Sequence, residues 1–138
     1  LFYQQLAVLF TLPGSPCIYY GTEIAMEGGF DPDCRRCMPW EDIDSAENKE
    51  RIDQMKTLIK IRRTEEACRS LYFHFLNQYE NRRCVEYIKL DGENRKLEVL
   101  LNCSGEKVEI KPGGEILFAR NYHDGILEPK GTLIRREH

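Results

Sequence analysis

The residues best suited to chemistry in this chain of 138 residues follow a short apolar run. The run 17–20 (Cys-Ile-Tyr-Tyr) ends at Gly21, and Glu23, Asp31 and Arg35 come after it. Asp31 and Arg35 are four positions apart, so they can pair and present carboxylate acceptors beside a planar set of N–H donors. Sugar hydroxyls both donate and accept, and they need that mixture. The spacing supports two interpretations: a sugar-binding pair, or an ion pair that only stiffens the loop.

The aromatic residues and the other carboxylate near this loop each have two interpretations. Glu23 is the carboxylate closest to the end of the apolar run, which suggests a general acid. Trp40 could stack on the face of a sugar ring, or pack the loop against the helix that follows. Tyr19 and Tyr20 are neighbours on a predicted strand and should point to opposite faces of it. Core packing is the default for both tyrosines, and the alternative is that one of them, such as Tyr20, lines the site.

A helix, a strand and a second helix must position these residues. Apolar residues at helical spacing predict a helix over 1–12, which Pro13-Gly14 stops. A short strand is predicted at 18–20. The segment 22–43 has no hydrophobic period, which is typical of a long, functional loop. A start resembling a capping box, followed by a regular apolar stripe, predicts an amphipathic helix over 44–68.

After Leu71 the pattern changes to short alternating runs separated by turn residues. The runs are 72–76, 85–90, 97–101, 108–110, 116–119 and 133–134. Runs of this length and spacing predict a small all-β domain, an antiparallel sandwich. We therefore divide the chain into an α/β segment, 1–70, and a β-domain, 71–138. A single parallel strand in the first segment would have two bare edges, so its partner strands are expected upstream of residue 1.

Composition and charge argue against several classes of function. The hydrophobic fraction of 41% can support a core, and the net charge of −3 comes from interspersed charges. Because no basic stripe is present, no nucleic-acid partner is expected. No stretch approaches the ~20 apolar residues of a membrane span, so no membrane association is expected either. The first residues lack the charged region and the cleavage site of a signal peptide.

Six irregularly spaced cysteines favour a reducing, cytoplasmic location over a disulfide framework. Cys17 and Cys103 lie in apolar runs, where free thiols behave as small hydrophobic side chains. Cys34 and Cys37 form a CxxC motif, which suggests half a zinc site or a redox pair. A zinc site needs a second pair of ligands, and a thioredoxin-like pair needs a strand before it and a helix at the first cysteine. Neither context is found, so we interpret the motif as a loop with two thiols and predict no metal or cofactor.

The segment from Pro13 to Trp40 resembles the last strand and loop of the α-amylase family barrel. The similarity is strongest to the neopullulanase, cyclomaltodextrinase and maltogenic amylase branch. Every fixed position of that branch's pattern is present, P-G-x-P-x-I-Y-Y-G-x-E-I-x-M-x-G-x-x-D-P-x-C-R-x-x-M-x-W. The resemblance implies that 1–70 is the last helix-strand-loop-helix of a (β/α)8 TIM barrel, and that 71–138 is the antiparallel C-terminal domain. Thr22 occupies a variable position of this pattern, at which the family usually has Asp or Asn.

The resemblance also implies roles for the loop residues. Asp31 and Arg35 occupy positions that hold a glucose unit on the non-reducing side of the bond that is cut. Glu23 resembles a residue that braces the loop through backbone N–H groups, which argues against a general acid. Retaining glycosidases use two carboxyl groups about 5 Å apart, and the family's catalytic carboxylates follow strands four, five and seven, upstream of residue 1. The chain is therefore expected to contribute a substrate-binding loop and a C-terminal domain, and no catalytic residue.

Two other functions compete with a hydrolase of α-1,4 and α-1,6 glucosidic bonds in α-glucan oligosaccharides. The β-domain could be a stand-alone carbohydrate-binding or interaction module, which would present exposed aromatic side chains on one face. The chain could also come from a sucrose- or trehalose-processing relative, since those enzymes share the pattern after strand eight. The Asp-Pro-Asp-Cys-Arg run at 31–35 favours the cyclomaltodextrin and pullulan group. A homodimer of the parent enzyme is left open, because dimers in this branch rely on an N-terminal domain.

Overall fold

Two α-helices precede six β-strands in the part of the chain that the computed structural model describes, residues 1–76, 78–79 and 83–137. The helices are α1 (Phe2–Thr11) and α2 (Ala46–Thr64). The strands are β1 (His74–Leu76), β2 (Cys84–Leu90), β3 (Lys96–Asn102), β4 (Val108–Glu109), β5 (Glu115–His123) and β6 (Ile126–Glu137). Single 3₁₀ turns lie at Thr22–Ile24, Asp33–Arg35, Trp40–Asp42 and Glu66–Arg69. Both predicted helices and all the predicted strands of the β-domain are therefore confirmed.

The first helix begins and ends within one residue of its predicted bounds, whereas α2 begins at Ala46 and already ends at Thr64, before a separate 3₁₀ turn. The last turn of α1 is closed by the Leu12 N–H, which donates to the Val8 carbonyl at 3.0 Å, and Pro13-Gly14 follows directly. The hydroxyl of Ser45 caps α2 by accepting from the Asn48 N–H at 3.3 Å. On α2, the predicted apolar face is buried against α1 and the sheet, while the opposite face is charged and exposed. The buried apolar residues of α2 are Met55, Leu58 and Ile61.

All strand pairs in the described residues are antiparallel, and they form one continuous sheet. Its order is β1-β2-β3-β6-β4, and β5 also pairs with β6. The prediction of a two-sheet sandwich is wrong in this respect. The reason is the length of β6, which pairs with β3 and β5 over one part and with β4 and β5 over another. One long strand thereby joins what the short alternating runs suggested were separate sheets, and the sheet curls around it.

The apolar core lies on both sides of β3. On the helix side, Val99 of β3 and Ile134 of β6 pack with Leu58 of α2 in a cluster that also includes α1. Inside the curl of the sheet, Leu100 and Leu133 pack in a second cluster with residues of β4. Because the first cluster includes both helices and four strands, the helices and the sheet are held by one shared core.

The predicted strand at 18–20 does not form. Residues 15–19 have no regular secondary structure, and Ile18, Tyr19 and Tyr20 are exposed. The rings of Tyr19 and Tyr20 lie 4.6 Å apart, so the two side chains contact each other and do not point to opposite faces. A strand needs hydrogen-bonded neighbours, and no strand that the structure describes runs beside this segment. Cys17, in the same segment, is therefore exposed.

The guanidinium of Arg62, on α2, ties together the ends of three segments. Its Nη1 donates to the carbonyls of Leu12 at 2.7 Å, Cys68 at 2.5 Å and Phe10 at 3.4 Å. Its Nη2 donates to the carbonyl of Gly14. These acceptors include carbonyls at the end of α1, which have no partner within the helix. Arg62 thus fixes where the chain leaves α1 and where it leaves the turn that follows α2.

Neither helix in the described part of the chain has the length and apolar character needed to cross a lipid bilayer.

Replacing Arg62 with Met should lower the free energy of unfolding by about 2–4 kcal/mol. The variant keeps the aliphatic stem but leaves several carbonyls without a charged donor, and such a hydrogen bond contributes about 1.5–3 kcal/mol. Urea denaturation followed by circular dichroism measures the change. Arg63→Met is the matched control: Arg63 is exposed on the next position of α2, and its replacement should change the free energy by less than about 0.5 kcal/mol. Equal destabilisation by both variants would contradict this role of Arg62.

Candidate functional site

The loop begins with a tight turn around Gly21. Gly21 has φ +84°, and a Cβ built on it would lie 2.9 Å from the Cβ of Met26. Glycine suits this position because it adopts positive φ without strain. The Gly21 carbonyl accepts from the N–H groups of Ile24 at 3.2 Å and Met26 at 2.9 Å. The turn places Glu23 at the base of the loop.

The structure brings the predicted pair, Asp31 and Arg35, together. The distance between Arg35 Nη2 and Asp31 Oδ1 is 2.5 Å, and the two side chains are 61% and 67% exposed. Exposed ion pairs contribute little to stability. Among the described residues, Oδ2 of Asp31 has no hydrogen-bond partner, and neither do Nε and Nη1 of Arg35. The pair therefore presents one free acceptor and several free donors to solvent.

A second ion pair in the same loop, Asp33 with Arg36, was not predicted. Arg36 donates from Nε to Oδ1 of Asp33 at 2.6 Å and from Nη2 to Oδ2 at 2.7 Å, a two-pronged contact. The Gly29 N–H donates to the same Oδ2 at 2.7 Å. A Cβ on Gly29 would lie 2.8 Å from that oxygen, so the glycine allows the close approach. The only signal in the sequence is a charge pair at i,i+3 after a Gly-Gly.

Asp33 is held in its ionised form by these contacts. The hydrogen bond from Arg36, and next the N–H of Gly29, lower the pKa of Asp33 below its usual value. In return, the pKa of Arg36 is raised by the same carboxylate. The pair is thus fully charged at neutral pH, and it closes the loop segment from residue 29 to residue 36.

Two further hydrogen bonds attach the loop to its surroundings. The hydroxyl of Tyr20 donates to the carbonyl of Arg36 at 2.8 Å, which links the base of the loop to its far arm. Nη1 of Arg51, on α2, donates to the carbonyl of Ile24 at 3.1 Å. Tyr20 is thus a loop-bracing residue in the structure. Its ring is exposed where the predicted strand does not form, so packing in a barrel core stays a prediction.

Neither Glu23 nor Trp40 makes a hydrogen bond or an ion pair with Asp31 or Arg35 in the described part of the chain. Within the described residues, the Glu23 carboxylate makes no hydrogen bond, so a bracing role for it stays a prediction. Trp40 is 73% exposed, which contradicts its predicted packing against α2. Phe30, directly before Asp31, is 98% exposed and was not singled out from the sequence. Exposed aromatic rings beside polar groups that donate and accept are suited to sugars, whose ring faces are apolar.

The cysteines do not form a metal centre in the part of the chain that is described. No group of three or more His, Cys, Asp or Glu side chains lies close enough together there to hold a metal ion. All six cysteines are free thiols. Cys34 and Cys37 are exposed in the loop, and Cys34 Sγ lies 3.9 Å from Asp31 Oδ1. Cys103, predicted to be in an apolar environment, is exposed, since it lies just past the end of β3.

Comparison with known proteins decides the family. No family model matches the chain. A cyclomaltodextrinase from Bacillus sp is 39% identical over 101 residues, which are 72% of this chain and 18% of that protein. The crystal structure of a maltogenic amylase from S. marinus is similar with a TM-score of 0.74 and 32% identity, over 99% of this chain and 19% of that chain. The chain belongs to the α-amylase family.

A third relative extends the comparison. An intracellular maltogenic amylase from Bacillus subtilis is 50% identical over 60 residues, which are 44% of this chain and 10% of that protein. The chain spans less than a fifth of the length of each of these three relatives. The predicted resemblance to this branch of the family is therefore confirmed.

The pKa of Asp33 should lie below that of a free aspartate, and Arg36→Met should reverse most of this lowering. The variant removes the larger of the two contacts that stabilise the carboxylate, so the pKa of Asp33 should rise toward its usual value. Because the pKa of Asp33 is lowered in the folded loop, its stabilisation is present at neutral pH and is lost as the pH falls through that pKa. A carbon-13 NMR titration of the Asp33 carboxylate measures the shift.

Arg35→Met is the matched control for this titration. Arg35 is the neighbouring arginine and pairs with Asp31, so its removal should leave the titration of Asp33 unchanged. If the pKa of Asp33 were the same in the wild type and in Arg36→Met, the proposed closure of the loop by this pair would be wrong.

Proposed function

We propose that the chain is the C-terminal part of a retaining hydrolase of α-1,4 and α-1,6 glucosidic bonds in α-glucans. In this proposal, 1–70 are the last helix, strand, loop and helix of a (β/α)8 barrel. Residues 71–138 are the C-terminal domain, although 77, 80–82 and 138 lie outside the described residues. The observation that carries the proposal is the exposed Asp31–Arg35 pair, at 2.5 Å, on a loop that other residues close. A pair that is not needed to shape its loop is available to a ligand.

An apolar groove along α1 supports the placement in a larger barrel. The groove has a volume of about 770 Å³ and lies between α1 and the end of β3. Its apolar lining includes Val8, Leu9, Leu12 and Leu101. An exposed apolar groove is suited to an interface, and the unpaired segment 18–20 follows one wall of the groove in sequence. We place the remaining barrel strands and helices against the groove and against segment 18–20.

In such a barrel, the loop would lie at the C-terminal ends of the strands, where these folds place their active sites. Oδ2 of Asp31 would accept from a glucose hydroxyl, and the free N–H groups of Arg35 would donate to another. The two catalytic carboxyl groups, about 5 Å apart in a retaining enzyme, would come from the upstream chain. Glu23 would brace the loop and would not transfer a proton to the sugar.

The same proposal covers location and partners. Six free thiols and the intracellular maltogenic amylase among the relatives support a cytoplasmic protein. The partner is an α-glucan oligosaccharide. A homodimer of the full-length protein stays a prediction, because it rests on residues outside this chain.

Replacing Arg35 with Ala in the full-length enzyme should lower kcat/KM for long substrates and spare short ones. A lost charge-assisted hydrogen bond of roughly 1.5–3 kcal/mol corresponds to about ten- to a hundredfold in kcat/KM. The loss should appear with maltotriose and cyclodextrins, which fill the outer subsite. It should be small with an aryl glucoside that fills only the subsite next to the bond that is cut. Steady-state kinetics on both substrates measures the difference.

The controls for this experiment separate sugar contact from loop shape. Arg35→Lys should recover little activity, because an ammonium group cannot reproduce the planar fork of the guanidinium. Asp31→Ala should show the same dependence on substrate length, and the double variant should be less than additive if the two residues act together. Arg63→Ala, on the exposed face of α2, should leave the kinetics unchanged. Equal losses on short and long substrates would mean that Arg35 only shapes the loop.

The chain of 138 residues by itself should not hydrolyse starch, pullulan or cyclodextrins. In the proposal the nucleophile and the acid come from the upstream chain, and Asp31 and Glu23 hold the sugar and brace the loop. Release of reducing sugar by the purified chain, measured over hours, tests this expectation. Activity that persists in the Glu23→Gln and Asp31→Asn variants would contradict the placement of the catalytic groups in the upstream chain.

A further inference from the structure

Two carboxylates and one arginine are buried together inside the curl of the sheet. Glu86 on β2 and Glu98 on β3 are each 1% exposed, and Arg135 on β6 is 5% exposed. Glu98 lies directly opposite Arg135 in the register of β3 and β6. Glu86 lies opposite Leu100, two positions from Glu98, so the two carboxylates are diagonal neighbours on one face of the sheet.

Arg135 balances only one of the two carboxylates. Its Nε donates to Oε2 of Glu98. Its Nη1 donates to the backbone carbonyls of Lys111 at 2.7 Å and Gly113 at 3.1 Å, which uses the guanidinium to hold the chain between β4 and β5. Its Nη2 lies 3.6 Å from Oε1 of Glu137, a less buried carboxylate. Arg135 therefore makes no hydrogen bond to Glu86 among the described residues.

Only one of the two carboxylate oxygens of Glu86 has a hydrogen-bond partner among the described residues. Its Oε1 accepts from Nε2 of Gln78 at 3.0 Å. Its Oε2 is buried and has no hydrogen-bond partner in the part of the chain that is described. An ionised carboxylate with an unpaired buried oxygen is strongly unfavourable, and a second carboxylate beside it makes ionisation harder still. A proton on Glu86, donated to Glu98, removes both costs at once.

We propose that Glu86 and Glu98 share one proton inside the curled sheet, and that loss of this proton above neutral pH loosens the β-domain. Burial is the largest cause acting on Glu86, followed by the charge of Glu98 and a hydrogen bond with it, and together they raise the pKa of Glu86 to about 7. Gln78 and Arg135 act in the opposite direction. With the shared proton in place, one negative and one positive charge remain in the cluster.

The other titratable and charged groups around the pair do not provide this proton. Burial raises the pKa of Cys84 to about 12 and raises that of Tyr79, so both are neutral throughout the relevant range. Lys111 Nζ is exposed and donates to Gln78 Oε1 at 3.0 Å. Glu137 is paired with Lys96 at 2.5 Å. His74, on the edge strand β1, lies opposite Ile88 on the same face and is exposed.

The sign of the pH dependence follows from the raised pKa. Between the usual pKa of a glutamate and about 7, the folded chain holds one proton more than the unfolded chain. The unfolding equilibrium constant should therefore rise about tenfold for each pH unit in this window and level off above it. The stabilisation is fully present below the usual glutamate pKa and is lost as the pH rises through the pKa of Glu86.

Glu86→Gln tests the shared proton, because the amide keeps the shape of the side chain and supplies a permanent donor to Glu98. Urea unfolding of the chain is measured for the wild type and the variant across pH. The unfolding constant of the wild type divided by that of the variant should rise about tenfold per pH unit between about pH 5 and pH 7, and stay level above about pH 8. Glu109→Gln is the matched control: it makes the same chemical change at an exposed carboxylate on β4, and its ratio should be constant. The slope should persist in a His74→Gln background.

A ratio for Glu86→Gln that does not change with pH would overturn the proposal. A second measurement holds even if this variant fails to fold. In the wild type, a carbon-13 NMR titration follows the Glu86 carboxyl directly. A midpoint near 7 supports the shared proton, and a midpoint at the usual value for a glutamate overturns it.

Discussion

β3 lies between β2 and β6 and is buried on both of its faces, so neither side of the sheet's centre can face water. On one side, α1 and α2 cover it, and polar contacts fix the position of α1. Nε2 of Gln4 donates to the carbonyls of Asn102 at 2.9 Å and Gly131 at 3.2 Å. The hydroxyls of Thr11 and Tyr87 are 2.5 Å apart in the buried seam. On the other side, the sheet covers itself by curling. The position of every other element follows from this double burial.

The loop depends on the same arrangement at its two ends. Because α1 and α2 are fixed against the sheet, the chain between them leaves and returns at defined points, one of which Arg62 secures. Between those points Ile24 is buried, whereas most of the residues that follow it are exposed, and hydrogen bonds set the shape of the loop. This is a common division in enzymes, where a rigid scaffold carries a loop whose polar residues meet the ligand.

Sequence patterns correctly predicted the elements that are determined by residues close together in the chain. The helical period predicted α1 and α2, the alternating runs predicted the strands, and the i,i+4 spacing predicted that Asp31 and Arg35 would meet. The strand at 18–20 could not form as predicted, because a strand needs neighbours that lie far away in sequence. Trp40 was predicted to pack against α2 and is exposed for the same reason, because its packing depends on residues that are distant in sequence.

The burial of charged residues in the alternating runs could not be predicted from the sequence. Glu86, Glu98 and Arg135 alternate with apolar residues, which ordinarily indicates a solvated face. They are buried because β3 is central and the sheet curls, and both facts depend on how β6 pairs along its length. Asp33 and Arg36 were missed for a different reason. Their spacing is no more distinctive than that of Asp31 and Arg35, and only the geometry at Gly29 separates the two pairs.

Within six positions of the loop, one ion pair holds the backbone in its conformation and another presents free donors and acceptors to solvent. Asp33 and Arg36 close the backbone, whereas Asp31 and Arg35 contribute little that the fold requires. Changes at the second pair can therefore accumulate without unfolding the loop. Under the proposed function, a lineage in which that pair drifts would alter which sugars are held while keeping the same frame. The separation of the two tasks would then make this short segment a natural point for divergence in substrate preference, and an economical one for engineering.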